Sequence, residues 1–503
     1  MNGTSLSLIN RIVDLDRTAN SPLYSQLSEF LREAILDGTL PRGTRLPATR
    51  SLANSLEVSR NTVVEAFNKL HSEGYLESQV GAGTFVSEDL PEQYTQVQHP
   101  PLASESSIRL HENSSQASSL SDRAAQLRNT PLSLLDDPVG QLAFRPGVPA
   151  FDAFPIETWS KLASRRWRSL PPSQLEYGNP AGYPPLRKAV AKYLRTSRGV
   201  RCEADQVLIV SGVQQAITLV ARTLLDPEDE VYVEDPGFPR MQAAFASTGA
   251  QVSPVRIDEQ GFSPAAVDDS ASPCLVGVTP SNHYPLGITM SPSRRMDLLE
   301  WCALNDTWIL EDDYDSEFQY SGRPFAALQG MDHVGRVLYT GTFSKVLFPA
   351  LRIGYLVVPS NLVSPIKKMR SVTDRCTPRV PQMVLTDFIT EGYLEEHIRQ
   401  MRTLYADRQA ALIEALRSEF PSFIEIESND AGLHLVGRLP KHVDDKAVSD
   451  QLAEHNIVAL PLSFYAEHPL ERGGLLLGYA GLPSEQIVET VRTMKDLLEP
   501  FLS

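Results

Sequence analysis

Arg336-Val337-Leu338-Tyr339-Thr340-Gly341-Thr342-Phe343-Ser344-Lys345 is the stretch on which the fold turns. Its first four residues read as a short buried strand. Small hydroxyl residues follow, then Lys345, and Arg352 lies seven residues further on. A lysine by itself is nearly always a solvated surface residue. A lysine in an apolar setting, behind small hydroxyls and ahead of an arginine, suits a Schiff base beside a phosphate. Thr342 and Ser344 can donate hydroxyls to that phosphate, and Arg352 can neutralise it bidentately.

Working outward, four more strand-like runs alternate with amphipathic helices: Val207 to Val210, Glu230 to Glu234, Cys274 to Val278 and Trp308 to Leu310. Alternation on this scale predicts an α/β domain with a largely parallel sheet. The strand at Trp308 runs into Glu311-Asp312-Asp313-Tyr314-Asp315. Open α/β sheets place ligands at such strand ends. A carboxylate there can keep a pyridine nitrogen protonated, and Asp312 and Tyr314, two apart, project to one side. Taken alone, the acidic turn suits a metal or plain solvent equally well. Val210-Ser211-Gly212-Val213-Gln214-Gln215-Ala216 is a strand, a glycine turn and a helix start, a phosphate-binding pattern. Phe238, in Glu234-Asp235-Pro236-Gly237-Phe238-Pro239-Arg240, can stack on a flat ring. Thr279-Pro280-Ser281-Asn282-His283-Tyr284-Pro285-Leu286-Gly287 is a loop after a strand.

The 503 residues are too many for one ordinary core, so at least two domains are expected. A hydrophobic content of 42% and a charged content of 21% are ordinary globular values, and no apolar run reaches membrane-spanning length. No signal peptide is evident, and the expected compartment is the cytoplasm. The cysteines Cys202, Cys274, Cys302 and Cys376 have no metal or redox spacing, so no metal is expected and four buried thiols are. The net charge of −16 argues against nucleic acid until its distribution is read. Residues 1–87 hold 8 basic and 9 acidic residues, and Arg42, Arg45, Arg50 and Arg60 cluster with only Glu57 against them. A small basic face of this kind can track phosphates.

The N-terminal region carries its own pattern. Leu23, Leu27, Phe30, Leu31, Ala34 and Ile35 line one face of a helix that Gly38 stops. Thr49 is expected to cap a short second helix. After a turn at Glu57-Val58, Ser59 is expected to cap a third, Arg60 to Ser72, which Gly74 ends. Tyr75 to Glu77 and Gly83 to Val86 read as two short strands around Gly81. Helix, turn, helix and wing in this order form a DNA-reading arrangement. Residues 88–135 are polar, without a sustained period, and read as a flexible linker.

The strings Leu46-Pro47-Ala48-Thr49-Arg50-Ser51-Leu52-Ala53, Val58-Ser59-Arg60-Asn61-Thr62-Val63 and Gly83-Thr84-Phe85-Val86 closely resemble the GntR-type winged helix, over residues 21–87. The resemblance implies DNA contacts from Arg50, Ser59, Arg60, Asn61, Thr62 and the wing at Gly81 and Gly83. Glu77-Ser78-Gln79 departs from the family, which often has arginines there; this bears on wing affinity rather than fold.

The five C-terminal motifs, in their order, resemble a fold-type I aminotransferase from about Phe144 to Leu498. In their detailed forms they resemble the MocR/GabR regulators, in which that domain is joined by a linker to a GntR-type winged helix. The resemblance implies a mainly parallel central sheet with a smaller C-terminal α+β subdomain, and pyridoxal 5′-phosphate (PLP) as cofactor. It implies an internal aldimine on Lys345, Asp312 on the pyridine nitrogen, and Tyr314 and Tyr284 near the phenolic oxygen. Phe238 would stack, and Ser211, Gly212, Val213, Thr342, Ser344 and Arg352 would hold the phosphate. Such aminotransferases carry an arginine near the C-terminus for the substrate carboxylate. Here Gly473-Gly474-Leu475-Leu476-Leu477-Gly478-Tyr479 has leucines in that place, and Arg472 lies a few residues earlier; of the two effector-binding candidates, Arg240 and Arg472, the resemblance to amino-acid-sensing relatives implies Arg240 as the better one for the carboxylate.

The expected domains are a winged helix-turn-helix at 18–87, a linker at 88–140 and an aminotransferase-like effector domain at 141–503. The expected function is PLP-dependent transcriptional regulation in response to an amino-containing metabolite or PLP itself. The alternative is a PLP-dependent aminotransferase with an accessory DNA-binding domain. A head-to-tail homodimer on repeated DNA half-sites is what the resemblance implies for assembly.

Overall fold

A computed structural model describes residues 11–19, 21–79, 82–90, 143–267, 272–320, 325–427 and 431–502, with a few isolated positions before residue 10 and at 121 and 124. The chain divides into two compact units, Met1–Ser118 and Ser119–Ser503. The linker expected at 88–140 falls almost wholly outside the described residues.

The first unit is built on three helices and a hairpin: α1 (Leu23–Leu36), α2 (Thr49–Ser55), α3 (Arg60–Ser72), β1 (Leu76–Gln79) and β2 (Gly83–Val86). Leu27, Leu31 and Ile35 from α1, Leu52 from α2 and Val63, Phe67 and Leu70 from α3 share one core with Leu76 and Val86. Each large apolar side chain so buried contributes roughly 1.5–3 kcal/mol, which lets a unit this small keep its shape. The hairpin is antiparallel, pairing Leu76 with Val86 and Gln79 with Gly83. Gly38 and Gly74 both take positive φ, as helix-ending glycines do. One cap differs from expectation. Ala48 occupies the N-cap of α2, with no side-chain cap bond, and Thr49 is the first helical residue.

The second unit centres on a seven-stranded sheet of order β3-β9-β8-β7-β6-β4-β5. Its strands are β3 (Val207–Val210), β4 (Glu230–Asp235), β5 (Gln251–Arg256), β6 (Leu275–Val278), β7 (Trp308–Asp313), β8 (Val337–Thr342) and β9 (Gly354–Val357). Strands β4 to β8 pair in parallel, and β9 runs antiparallel to both β3 and β8. Both faces are covered. Val207 and Ile209 face one apolar cluster while Leu208 and Val210 face another, the period-two signature of a doubly covered strand. Helices α4 (Ile156–Arg168) and α5 (Pro184–Ser197) join the first cluster through Leu162 and Leu186, and α6 (Val213–Leu224) and α7 (Pro239–Ala246) pack on the second face through Ile217, Val220 and Phe245.

Two strands run further than their apolar runs suggested. β7 continues through Glu311-Asp312-Asp313, and β8 through Thr340-Gly341-Thr342. Polar residues remain in the ladder because the parallel partner supplies their backbone bonds: Asp312 pairs with Thr340 and Asp313 with Gly341. The smaller subdomain is a four-stranded antiparallel sheet of β10 (Glu425–Glu427), β11 (His434–Arg438), β13 (Gly474–Gly478) and the short β12 (Leu460–Pro461), in that spatial order. The expectation of four buried thiols is corrected. Cys202 and Cys302 are buried, but Cys274 and Cys376 are only half-buried.

Candidate functional site

The parallel arrangement brings the C-terminal ends of β4, β6, β7 and β8 together. A cavity of about 150 Å³ sits there, lined by Val213, Phe238, Thr279, Tyr284, Asp312, Tyr314, Asp315, Thr342, Lys345, Pro146, Gly147, Leu433 and His434. Seven of these were named from sequence: Val213, Phe238, Tyr284, Asp312, Tyr314, Thr342 and Lys345. Asp312 and Tyr314 share the cavity, as their two-residue spacing implied.

Lys345 is half-buried, and its Nζ donates to the Gly147 carbonyl at 2.8 Å. Burial holds its ammonium below the ordinary range; Asp315 and Asp312 oppose that, while Arg145 adds to it. Gly147 has φ +69, a conformation that favours glycine, and a β-carbon there would press on Nζ. Asp312 lies opposite in charge. Burial, with Asp313 adding, pushes its carboxyl up to about 8. Its Oδ1 has no hydrogen-bond partner among the described residues. An unpaired buried acceptor costs on the order of 1–3 kcal/mol, so Asp312 is a group that lacks its cation.

The walls are aromatic and tightly networked. Tyr284 meets Phe238 and Tyr314 edge-on, each at 5.7 Å between ring centroids. Its hydroxyl bonds that of Tyr465 at 3.1 Å. Asn282 Nδ2 donates to Asp315 at 2.9 Å and lies 3.3 Å from the Tyr314 hydroxyl. Burial takes His434 down to about 4, so it is neutral, and its Nε2 lies 2.9 Å from the Pro285 carbonyl. Behind the wall, Glu234 accepts from the Thr279 amide and hydroxyl at 2.9 and 2.6 Å, and burial raises it to about 8.

Next to the lining residues Val213 and Thr342, and themselves outside the cavity lining, stand the anion donors expected from sequence. Gly212, at φ +89, precedes α6, and the Arg352 guanidinium lies 3.3–3.5 Å from where a Gly212 β-carbon would be. Arg352 itself is left-handed, with φ +51. The Ser344 hydroxyl is buried with no partner among the described residues. The Thr342 hydroxyl accepts from the Ser344 amide at 3.0 Å. Ser211 Oγ lies 3.5 Å from the Thr377 hydroxyl. A free helix start, a guanidinium and two hydroxyls are the donor set of a phosphate site. With the orphaned Asp312 Oδ1, the residues fit a phosphorylated pyridine.

Neither effector-binding candidate lines the cavity. Arg472 is spent elsewhere: its Nε donates to the Leu439 carbonyl at 3.1 Å and its NH1 pairs with Glu425 at 2.6 Å. Arg240 is exposed on the first turn of α7 and does not line the cavity, because helical geometry turns it away from Phe238. Of the lining residues, Pro146, Gly147, Thr279, Asp315, Leu433 and His434 had no role from sequence; Thr279 and Asp315 stand in quoted motifs, the other four in none.

On the first unit, Arg50, Arg60 and Asn61 are exposed. The Ser59 hydroxyl accepts from the Thr62 amide at 3.1 Å and bonds its hydroxyl at 2.9 Å. Ser59 therefore caps α3, with the Thr62 hydroxyl bonded to the cap, and Arg60 and Asn61 are left exposed. Gly83 begins β2 on the wing; Gly81 lies outside the described residues.

Residues 23–86 match the gntR family of bacterial regulatory proteins, and residues 141–493 match aminotransferase class I and II. The chain is 39% identical to the probable rhizopine catabolism regulatory protein MocR of Rhizobium meliloti, over 96% of this chain and 94% of that one. It belongs to the MocR-type regulators of the gntR family. Among solved structures, this MocR-type chain is similar to a kynurenine aminotransferase from Pyrococcus horikoshii in complex with PMP (TM-score 0.67, 26% identity, 78% of this chain and 98% of that one). It is equally similar to LysN, an α-aminoadipate aminotransferase from Thermus thermophilus complexed with N-(5′-phosphopyridoxyl)-L-leucine (TM-score 0.67, 26% identity, 76% and 95%). The MocR-type chain thus joins a DNA-binding gntR-type winged helix to a fold-type I aminotransferase domain. No helix among the described residues is long and apolar enough to cross a membrane.

Proposed function

We propose that this protein is a cytoplasmic transcriptional regulator that holds PLP through Lys345 and changes its DNA binding when an amine-bearing small molecule reaches that site. The observation that carries the reading is a half-buried lysine sharing one cavity with a buried carboxyl oxygen that has no partner among the described residues. PLP, when bound, supplies an aldehyde that condenses with amines and a ring that draws electrons from the attached carbon.

The chain's own residues do the rest. Lys345, uncharged more readily than a solvated lysine, is the amine that attaches the cofactor. Asp312 holds a proton on the pyridine nitrogen and in doing so recovers the cost of its burial. Phe238 covers the ring, and Tyr314 and Tyr284 serve the phenolic oxygen. Ser211, Gly212, Val213, Thr342, Ser344 and Arg352 take the phosphate. On DNA, the exposed Arg60 and Asn61 at the start of α3 read the groove, with Arg50, Ser59, Thr62 and the wing around Gly83 and Gly81 on the backbone. The working boundaries are 18–87, 88–140 and 141–503, and a head-to-tail homodimer would match repeated half-sites. Binding at the cavity biases DNA binding only as far as the small molecule prefers one conformation over another.

The test is borohydride reduction of the protein loaded with PLP, followed by peptide mass spectrometry. A visible absorption band and a pyridoxyl adduct on Lys345 are expected. A loaded sample with neither would end the reading. The intact Lys345–Asp312 pair also favours a second reading, an aminotransferase with an accessory DNA-binding domain. Sustained turnover of an amino acid with a 2-oxo acid would select it.

A further inference from the structure

The turn that carries Ser211 and Gly212 from β3 into α6 is tied by a closed ring of polar contacts. On one side the Ser211 amide donates to Gln215 Oε1 at 2.8 Å, and Gln215 Nε2 donates to Asp374 Oδ2 at 2.6 Å. On the other the Ser211 hydroxyl meets the Thr377 hydroxyl at 3.5 Å, and Thr377 Oγ1 accepts from the Arg370 guanidinium. The two sides join where Arg370 Nε faces Asp374 Oδ1 at 3.5 Å. Ser211 belongs both to this ring and to the anion donors.

Arg370 is the unusual member. It stands on the last turn of the helix Ser360–Thr373 and is fully buried. A buried cation costs several kcal/mol to desolvate, and replacing such an ion pair with apolar residues is often neutral or stabilising. Stability alone is therefore a poor reason for it. What the guanidinium does hold is position. It also donates to the Ile209 carbonyl, two residues before Ser211, so one planar group ties the end of β3 to the Thr377 hydroxyl. Thr377 is itself fixed, its carbonyl accepting from Gln382 Nε2 at 2.9 Å. The turn is crowded as well. A β-carbon at Gly212 would come within 3.3 Å of Arg352, and one at Gly354 within 3.1 Å of the Gly212 Cα. A turn tied at its amide and its hydroxyl and crowded at its glycine is preset rather than free to adapt.

We propose that Arg370, Asp374, Gln215 and Thr377 are positioning residues that preset the Ser211–Gly212 turn for a phosphate they do not touch. None of the four lines the cofactor cavity. Donors held in place before binding lose less of their interaction to ordering, so the ring sets how much affinity the phosphate supplies. This deepens the cofactor reading above and rests on it.

The test compares PLP with 5′-deoxypyridoxal, which has the same ring and aldehyde and no phosphate. Cofactor-free, full-length protein is titrated with each and followed by visible absorbance, and the quantity read is the ratio of the two dissociation constants. Gln215→Glu sets a carboxylate against Asp374. It lowers the preference for PLP by about fivefold or more, the scale of one hydrogen bond, and leaves 5′-deoxypyridoxal within about twofold of wild type. Combining Gln215→Glu with Asp374→Asn puts a donor back opposite an acceptor and recovers about twofold or more of the lost preference, a non-additivity that a loosened fold does not give. Thr377→Val, which removes only the hydroxyl arm, shifts the ratio in the same direction and decides alone if Gln215→Glu does not fold. A wild type without preference for PLP, unchanged ratios in both single variants, losses shared equally by the two probes, or a double variant no better than Gln215→Glu overturns the ring's role and leaves attachment at Lys345 standing. A wild type with no visible band from either probe overturns the cofactor reading and the ring's role with it.

Discussion

The two ends of this molecule carry function in opposite physical ways. At the start of α3 the working side chains, Arg60 and Asn61, are exposed, and the local polar groups are satisfied: Ser59 and Thr62 bond each other and the helix end. At the strand ends of the second unit, the working groups are buried and left unsatisfied: Asp312 Oδ1 and Ser344 Oγ have no partner among the described residues. An exposed reader costs the fold little and can be lost without harm to it. A buried, unpaired site is a standing cost that a ligand removes. Changes in the first region should therefore alter binding while sparing the domain, whereas changes in the second should alter ligand affinity and stability together.

The sharpest way to break that contrast is at the anion donors beside the cavity. Arg352→Ala should weaken PLP by roughly 10- to 100-fold, since charge-assisted hydrogen bonds carry about 1.5–3 kcal/mol. Tyr314→Phe, which removes one neutral hydroxyl, should cost less than about tenfold. Equilibrium titration followed by absorbance checks both, and equal losses would put the phosphate elsewhere.

A smaller effect should appear in stability against pH. The Asp312 carboxyl ordinarily titrates near 3.8, and burial raises it to about 8 in the folded chain. Between about pH 4 and pH 8 the unfolded chain has given up a proton that the folded chain keeps. The Asp312 contribution to stability therefore falls as pH rises across that window. Asp312→Asn should remove this loss, making the cofactor-free protein more stable at pH 7.5 by on the order of 1–3 kcal/mol relative to wild type. The gain should shrink toward pH 5, and the same change should weaken PLP. Denaturant melts at the two pH values decide the matter; a gain that is larger at pH 5 would contradict the assignment.

The smallest effect belongs to the first region. Ser59→Ala removes the α3 cap and should cost about 1 kcal/mol of winged-helix stability, seen as an earlier thermal transition for that unit. The PLP band should not move. A shift in the band would show the two regions to be less separable than their chemistry implies.

The contrast also accounts for what was legible in the sequence. The bounds of α3, with Ser59 before it and Gly74 after it, follow from local signals: a cap, a 3.6-residue apolar period and a glycine stop. A cap is read one residue at a time, which is why Ala48 rather than Thr49 precedes α2. Strands β7 and β8 were read short because Glu311 to Asp313 and Thr340 to Thr342 break the apolar pattern just where the sheet acquires its chemistry. The motif residues of the cavity were visible because each sits beside a strand end. Gly147 lies 198 residues from the lysine it meets, and His434 comes from the other sheet. Only tertiary packing brings them in.

The central claim is that one chain reads DNA with an exposed helix and senses a small molecule at a half-buried lysine. Its most direct test is a DNA-binding titration of wild type, Arg60→Ala and Lys345→Ala, each with and without PLP and a binding amine, with absorbance recorded on the same samples. Arg60→Ala should lose about 1–3 kcal/mol of specific binding if it reads a base and keep the visible band. Lys345→Ala should keep DNA affinity and lose both the band and the response to the amine. A Lys345→Ala protein that still answered the amine as wild type does would contradict the account.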